Sequence, residues 1–150
     1  MTTKDLEETT ELKPQFIKRN GILPVAVQET SSGQILMLAS VNEEAFNNTI
    51  KNKICTFYST SRNKLWIKGQ TSGNYLQVDE VLIDCDQDAI VYKVTLKKGG
   101  VCHTFNQYGD NRKACFYRNV DLESKTLKYS NGHLMDCVMF YFYRSHVPGG

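Results

Sequence analysis

Short runs of apolar and β-branched residues, separated by turns that often contain glycine, occupy most of this sequence. Such runs are typical of β-strands, because β-branched and aromatic side chains pack well on a pleated surface. They lie at residues 21–28, 34–39, 55–59, 65–68, 75–84, 89–96, 114–118 and 125–129. The polar turn between the first two runs predicts that these strands pair as a hairpin.

The segment between the second and third runs is helical in character. Ser40 is a suitable N-cap residue, and Glu43 lies three residues later, as in a capping box. A short helix is therefore predicted over residues 42–52. The side chains expected to face the core are those of Ala45, Phe46 and Ile50. Together with the strands, this helix predicts an α+β fold: mostly antiparallel β-sheet with one or two short helices in a single domain.

The size and charge of the chain limit what kind of protein it can be. Its 150 residues favour one domain that is large enough to bury a core. The polar residues 1–12 are expected to form a flexible N-terminal segment, followed by the domain itself at residues 13–150. The formal net charge of +2 argues against a protein that binds nucleic acid by bulk charge.

No part of the chain predicts a membrane association. No run approaches the ~20 apolar residues that a membrane-spanning helix needs. The acidic N-terminus has neither the apolar core of a signal peptide nor the arginine-rich pattern of a transit peptide, so the expected location is the cytoplasm. The aromatic residues 138–143 are interpreted as a final core strand, with a subunit interface as the alternative.

Three aspartates alternate along the run Asp84, Asp86 and Asp88, between two apolar strand-like runs. Adjacent carboxylates repel and aspartate is unfavourable in strands, so a compensating interaction is expected. An EF-hand calcium loop is excluded, because Ala89 and Thr95 stand where that loop needs glycine and glutamate.

A divalent cation is one explanation for these carboxylates. In an extended segment, residues two and four positions apart share a face, so the three carboxylates would converge while Cys85 points the opposite way. Oxygen ligands with room for water suit Mg²⁺. The alternative, a solvated acidic turn between two strands, stays open.

The chain has five cysteines, an odd number, and no C-x-x-C pair. In a cytosolic protein this argues against a disulfide framework and for metal binding or catalysis by some of the thiols. Cys102 precedes His103 directly, and Cys115 follows after a polar loop. Together with Cys85, which another subunit could supply, they would make a three-thiolate zinc site with one position open to water.

His103 would be the general base beside such a zinc ion. Two alternatives stay open for this group. The thiols could be small buried hydrophobic side chains, and His103 could be the fourth ligand of a closed structural zinc site. The simpler interpretation, a buried hydrophobic thiol, is preferred for Cys55 and Cys137, which have no polar neighbours in the sequence.

Several motifs occur in a characteristic order. They are FYSTSR at residues 57–62, LWIKGQTSG at 65–73, DCDQD at 84–88, CHT at 102–104 and CFYR at 115–118. In this order they resemble the phosphoribosyl-AMP cyclohydrolases of histidine biosynthesis, over about residues 21–118. The resemblance implies hydrolysis of the adenine ring of phosphoribosyl-AMP between N1 and C6, giving an imidazole carboxamide product, by a homodimeric enzyme.

The resemblance also implies roles for individual residues. Cys85, Cys102 and Cys115 would bind Zn²⁺, with Cys85 contributed across the dimer interface, and Asp84, Asp86 and Asp88 would bind Mg²⁺. His103 would be catalytic and carry a proton from water to N1. The residues expected to contact the nucleotide and its two phosphates are Arg62, Trp66, Lys68, Thr71, Ser72 and Arg118. Trp66 could instead belong to the core.

One departure from the family pattern concerns the loop at residues 105–114, which is several residues longer than in the family and has Phe105 where glycine is common. Two other functions were considered. A zinc-stabilised nucleotide sensor would need the thiols but neither His103 nor the three aspartates. A zinc deaminase would need a glutamate two residues after a histidine ligand and a C-x-x-C pair, and both are absent from the sequence.

Overall fold

The computed structural model describes residues 1–130. Two α-helices occur in this part of the chain, α1 (Thr3–Glu8) and α2 (Glu43–Asn52), together with a 3-10 helix at Ile17–Arg19. The strands are β1 (Leu23–Glu29), β2 (Ile35–Val41), β3 (Thr56–Ser59), β4 (Lys64–Ile67), β5 (Leu76–Ile83), β6 (Ile90–Leu96), β7 (Arg118–Val120) and β8 (Leu127–Tyr129). Cys137 and the aromatic residues 138–143 lie outside the described residues.

The main sheet has four strands in the order β2-β1-β6-β5. β1 pairs antiparallel with β2, and β5 pairs antiparallel with β6, whereas β1 and β6 run parallel. β3 with β4, and β7 with β8, form separate antiparallel hairpins. The prediction of a single, mostly antiparallel α+β domain with one or two short helices is confirmed, and two α-helices are found in residues 1–130.

The core lies on one face of the main sheet. Alternate side chains of β1, those of Leu23, Val25 and Val27, are fully buried, because residues two positions apart in a strand share a face. They join one hydrophobic cluster with Phe57 of β3 and Tyr92 of β6, whose ring centroids lie 6.3 Å apart. Burial of each such aliphatic side chain contributes about 1.5–3 kcal/mol to folding.

Helix α2 begins at Glu43, one residue later than predicted, and its N-cap lies two residues later than predicted. Strand β2 continues through Ser40 to Val41, and Asn42 is the N-cap, its side-chain oxygen accepting a hydrogen bond from the Ala45 N–H at 2.8 Å. The assignment of Ser40 as N-cap is therefore wrong. Asparagine caps a helix as well as serine does, and pairing of Ser40 with Pro24 extends the strand past the earlier candidate.

The core-facing side of α2 consists of Ala45, Phe46 and Thr49, all buried. Ile50, which was expected in the core, is 42% exposed. Thr49 is accommodated because its hydroxyl donates to Ala45 and Thr56 carbonyls and accepts from the Thr56 N–H, so its polar atom is satisfied. Its bonds to the backbone of Thr56 tie α2 to the start of β3.

Residues 114–117 do not form the predicted strand. β7 begins only at Arg118, and the Cys115 N–H instead donates to the carbonyl of Leu36 in β2 at 2.7 Å. This is a single hydrogen bond to β2 and not the repeated pattern of hydrogen bonds that defines paired strands. Residues 114–117 therefore satisfy their backbone groups without forming a strand.

The outer face of the main sheet carries an apolar row, one residue from each strand. Leu38 pairs with Ala26, Ala26 with Val91, and Val91 with Leu82. Leu38 is 64% exposed and Leu82 is 49% exposed. We call these four residues the outer apolar row.

Helix α1 lies within residues 1–12 and buries none of its side chains. The flexibility of this segment stays a prediction. A membrane-crossing helix is not found in residues 1–130, where every helix is too short or too polar.

Candidate active site

Residues 84–89 form a tight turn between β5 and β6. The Asp84 N–H donates to the Ala89 carbonyl at 3.0 Å, and the Gln87 N–H donates to the Asp84 carbonyl at 3.1 Å. Gln87 has a left-handed backbone conformation, with φ of +58°. The expectation of an extended segment is therefore wrong, because aspartate stabilises turns by bonding the backbone that follows it. Here Oδ1 of Asp84 accepts from the Asp88 and Ala89 N–H groups.

The three carboxylates nevertheless converge. Ligand oxygens of Asp84, Asp86 and Asp88 all lie within 4.8 Å of one another. We call these residues the carboxylate triad. Its convergence was predicted from the wrong geometry: the turn, and not a shared strand face, brings the three side chains together. Cys85 is exposed in the same turn.

Two basic side chains of the 3-10 helix contact the carboxylate triad. Lys18 Nζ lies 2.9 Å from Asp86 Oδ2 and 3.1 Å from Asp88 Oδ2. Arg19 donates to Asp88 Oδ2 from Nε at 3.1 Å and from a terminal nitrogen at 3.0 Å. The Lys18 hydrogen bond lowers the pKa of Asp88 to about 2, against its burial and with help from Arg19. Asp88 is therefore ionised at neutral pH although its side chain is nearly buried.

The long loop after Cys102 folds into a hairpin. The N–H groups of Val101 and Cys102 donate to the carbonyls of Lys113 and Arg112, and the Arg112 N–H donates back to Thr104. A bridge between Phe105 and Asn111 extends the pairing towards the tip. The extra residues therefore lengthen a hairpin, residues 100–113, and do not separate Cys102 from Cys115.

Cys102 and Cys115 are neighbours that interact directly. Burial opposes ionisation of Cys102, but hydrogen bonds from Thr104 and Cys115 hold its pKa below the ordinary value. The Thr104 hydroxyl lies 3.0 Å from the Cys102 sulfur. Partial burial and the charge of Cys102 together raise the pKa of Cys115 to about 11. We call these two residues the thiol pair; Cys102 is the member that ionises first.

Lys68 lies beside the thiol pair. Its ammonium group donates to the Val101 carbonyl at 2.5 Å. Burial lowers the pKa of Lys68, while the nearby charges of Cys115 and Cys102 oppose that shift. The buried Asn74 adds a second link, since its side-chain nitrogen donates to the Gly100 carbonyl at 3.2 Å. The 68–74 loop is thus bonded to two consecutive carbonyls of the 100–113 hairpin.

The β3–β4 hairpin and the loop after it form a pocket of about 460 Å³. Three of the residues predicted to contact substrate line it: Arg62, Trp66 and Thr71. Trp66 also packs on Phe57, at 4.9 Å between ring centroids, so it touches both the core and the pocket. The other residues that line the pocket are Ser59, Ser61, Lys64, Ile67 and Gln70.

The other predicted substrate residues lie elsewhere. Lys68 reaches the thiol pair, and the Ser72 hydroxyl accepts from the Asn74 N–H at 3.2 Å within its own turn. Arg118 lies at the start of β7 with its guanidinium 4.9 Å from the Tyr117 ring. His103 is exposed, next to Cys102.

The third thiol does not join the thiol pair within one chain. Over residues 1–130, the only group of three or more histidine, cysteine or carboxylate ligand atoms close enough to share an ion is the carboxylate triad. The Cys85 sulfur is therefore too far from the sulfurs of Cys102 and Cys115 for all three to bind one ion within a single chain. Sequence reasoning missed Lys18 and Arg19, because they lie 68 and 69 residues from their carboxylate partners and no local motif marks them.

Comparison with known proteins gives a consistent result. The model of a family described as phosphoribosyl-AMP cyclohydrolase matches residues 37–117. A Hyphomonas neptunium protein of that name is 44% identical over 115 residues, which cover 77% of this chain and 82% of the relative. One from Chlorobium chlorochromatii is 40% identical over 130 residues, 87% of this chain and 84% of the relative. One from Methanococcoides burtonii is 43% identical over 102 residues, 68% and 78%.

The matched region contains the carboxylate triad, the thiol pair, Cys85, His103 and every residue that lines the 460 Å³ pocket. The match therefore covers most of the candidate site and not only the scaffold; Lys18, Arg19 and Arg118 lie outside it. This chain belongs to the phosphoribosyl-AMP cyclohydrolase family.

Proposed function

We propose that this protein opens the adenine ring of 1-(5-phosphoribosyl)-AMP by zinc-dependent hydrolysis of the N1–C6 bond, an early step of histidine biosynthesis. Family membership supports the substrate and the hydrolase class. The observation that carries the zinc-dependent form is the thiol pair, which lies beside the exposed His103. The cytoplasmic location stays a prediction.

The donor set of the thiol pair fits zinc. Two interacting thiols, one of them with a lowered pKa, favour a soft divalent ion over Mg²⁺ or Ca²⁺. With Cys85 as a third ligand, one coordination position would be left for water. A zinc ion held there would bring the pKa of that water towards about 7.

His103 has the position of a proton carrier. It follows Cys102 directly and is exposed, so its ring can approach both water and a bound nucleotide. We assign it the transfer of a proton from the attacking water to ring nitrogen N1, where the C–N bond breaks. Thr104 contributes indirectly, since its hydroxyl and N–H both bond the Cys102 sulfur.

A second copy of the chain would supply Cys85. Cys85 is exposed, and the adjoining outer apolar row presents the exposed side chains of Leu38 and Leu82. A shallow apolar pocket of about 320 Å³ includes all four residues of that row together with Asp84 and Ala89, on either side of the Cys85 turn. Covering this face with a second subunit would bury the row and bring each Cys85 near the other subunit's thiol pair.

The carboxylate triad has room for magnesium. The hydrogen bonds and ion pairs made within residues 1–130 use one oxygen of each carboxylate, Oδ1 of Asp84 and Oδ2 of Asp86 and Asp88. The second oxygen of each is available to a cation that prefers oxygen ligands. Lys18 and Arg19 bond Oδ2 of Asp86 and Asp88, so these ion pairs can persist while a cation binds the other oxygens.

The 460 Å³ pocket is the proposed nucleotide site. Arg62 and Lys64 supply positive charge for a phosphate, and the hydroxyls of Ser59, Ser61 and Thr71 supply donors. The indole of Trp66 offers an aromatic face to a purine. Lys68 and Asn74 belong to the loop that also lines this pocket, and they donate hydrogen bonds to the Val101 and Gly100 carbonyls, next to Cys102. Ser72 and Arg118 remain predicted substrate contacts.

The test is ring opening in vitro. Purified protein is incubated with phosphoribosyl-AMP, with and without a zinc chelator, and the reaction is followed by absorbance. We expect turnover that the chelator abolishes and added zinc restores. Cys102→Ser should be inactive and zinc-free, whereas Cys55→Ala, which removes a buried thiol outside the site, should keep activity. Absence of chelator-sensitive ring opening would refute the proposal.

A further inference from the structure

Residues 11–19 bind the turn that carries Cys85. The Gln87 side chain accepts a hydrogen bond from the Lys13 N–H at 2.7 Å and donates to the Glu11 carbonyl at 3.1 Å. The Gln87 carbonyl accepts from the Gln15 N–H at 2.7 Å. Gln87 is only 4% exposed although it is a polar turn residue. The N-terminal segment is thus joined to both the side chain and the backbone of one residue in the turn.

The same segment also contacts the turn through charge. Lys18 and Arg19 pair with Asp86 and Asp88, on either side of Gln87. These contacts and those of Gln87 are made to the three residues that directly follow Cys85 in the turn. Residues 11–19 lie before residues 37–117, the region that matches the family model. We call residues 11–19 the N-terminal clamp.

We propose that the N-terminal clamp is a positioning element that holds the 84–88 turn so that Cys85 reaches the zinc site formed with Cys102 and Cys115 of the partner subunit. The inference rests on the proposed function, because it takes the zinc site to be shared between subunits. It adds that residues 11–19, which contribute no ligand, set how well the third thiolate binds.

The physical basis is preorganisation. The turn projects beyond the ends of β5 and β6, and its internal bonds run between Asp84 and residues 87–89, so they bypass Cys85. An exposed thiol on such a turn loses conformational freedom when it binds a metal. Contacts from the clamp remove that freedom in advance, as outer contacts of ligating residues do in other metal sites.

The experiment compares zinc affinity in full-length variants. Gln87→Ala removes the two side-chain bonds to the clamp, and Lys18→Ala removes the ion pairs with Asp86 and Asp88. Zinc dissociation constants are measured by competition with a chromophoric chelator. We expect each variant to bind zinc roughly 10–100-fold more weakly, the usual effect of losing an outer contact of a ligand. Lys51→Ala, an exposed lysine of α2, is the matched control and should bind like wild type.

Cobalt spectroscopy separates positioning from a general loss of stability. Co²⁺ replaces zinc, and its thiolate charge-transfer absorption reports how many sulfurs are bound. The clamp variants should lose intensity and approach the spectrum of Cys85→Ser. Folded, dimeric clamp variants with wild-type zinc affinity and a full three-thiolate spectrum would overturn the inference.

The Cys85→Ser variant distinguishes failure of the clamp inference from failure of the proposed shared zinc site. If Cys85→Ser itself leaves zinc affinity and the cobalt spectrum unchanged, the shared zinc site is wrong, and the clamp inference is overturned with it. If Cys85→Ser weakens zinc binding while Gln87→Ala and Lys18→Ala do not, the shared site stands and only the clamp is wrong. Weaker binding in all three supports both.

Discussion

Cys102 and Cys115 lie side by side, yet their environments favour different protonation states. Thr104 makes the difference, because its hydroxyl and its backbone N–H both bond the Cys102 sulfur and stabilise the thiolate. No such donor to Cys115 occurs among residues 1–130, and burial and the charge of Cys102 both raise its pKa. A divalent ion would remove this asymmetry by attracting both sulfurs as thiolates, so metal binding is expected to release protons.

His103 gives a prediction at the residue scale. Replacing it with alanine removes the proposed proton carrier without removing a thiol. We expect His103→Ala to lower kcat for ring opening by about 10²–10⁴-fold, the range typical of general acid–base catalysis, with zinc content unchanged. Steady-state kinetics and metal analysis of the same preparation check it. Near-normal turnover of the zinc-bound variant would contradict the assigned role.

At the scale of elements, the 100–113 hairpin brings the thiol pair together and depends on a close backbone contact. A Cβ atom on Gly100 would lie 2.3 Å from the carbonyl oxygens of Asn111 and Arg112. Real atoms do not approach so closely, so any side chain there would push the two strands of the hairpin apart. Cys102 lies two residues after Gly100, so its sulfur would be displaced together with the hairpin.

Gly100→Ala should therefore damage both stability and the zinc site. We expect a loss of about 3 kcal/mol in the free energy of unfolding, from a backbone clash that cannot relax locally, and weaker zinc binding. Gly109→Ala at the hairpin tip is the matched control: it meets no atom within 4 Å but has φ of +82°, so it should cost only about 1 kcal/mol. Urea unfolding and chelator competition measure the two effects. Equal losses in the two variants would argue against the clash.

A second connection between elements runs from β1 to the end of the hairpin. Lys113 Nζ lies 2.6 Å from Glu29, and the Ser32 hydroxyl bonds the same carboxylate. The Lys113 and Ser32 hydrogen bonds hold the pKa of Glu29 below its ordinary value of 4.5, although burial opposes the shift. A lowered folded-state pKa stabilises the fold above 4.5 and stops doing so as the pH falls through the folded value.

The stability difference between wild type and Glu29→Gln should therefore depend on pH, with wild type the more stable protein when Glu29 is ionised. We expect wild type to have the higher Tm above pH 4.5, with the gap closing as the pH is lowered further. Thermal melts across this range measure it. Glu80→Gln removes a more exposed ion pair with Lys93 and should show almost no gap at any pH. A Glu29→Gln gap that persists or widens in acid would contradict the assignment.

At the scale of the whole molecule, the proposed three-thiolate site is not assembled within one chain. Within residues 1–130, Cys85 lies apart from the thiol pair, and two residues of the outer apolar row, Leu38 and Leu82, are exposed. Both observations have one explanation if two chains join through the outer face of the sheet. The proposed dimer therefore predicts that each zinc site draws ligands from both subunits.

Subunit mixing tests this prediction directly. Homodimers of Cys85→Ser and of Cys102→Ser should both be inactive, because every site in them lacks a ligand. A mixed dimer, purified through two different tags, has one complete site, so it should regain about half of wild-type turnover. If all three thiols came from the same chain, the mixed dimer would stay inactive. Mass spectrometry confirms that the mixed species was assayed.

The sequence by itself determined the class of fold and the family. The order of strand-like runs predicted a mostly antiparallel α+β domain, since alternation and turn residues are local signals. The same order of motifs pointed to the phosphoribosyl-AMP cyclohydrolases, and the family match covers residues 37–117. Errors appeared where tertiary bonding outweighed local preference, as at Ser40, Ile50 and residues 114–117.

Only the tertiary structure decided which of these residues meet. Asp84, Asp86 and Asp88 converge through a turn that Asp84 itself stabilises, and Lys18 reaches them from 68 residues away. The 105–114 loop, which the sequence left undefined, pairs into a hairpin that keeps Cys102 beside Cys115. Periodicity reports the face on which a side chain lies, but contacts between distant segments depend on packing of the whole chain, which no local pattern encodes.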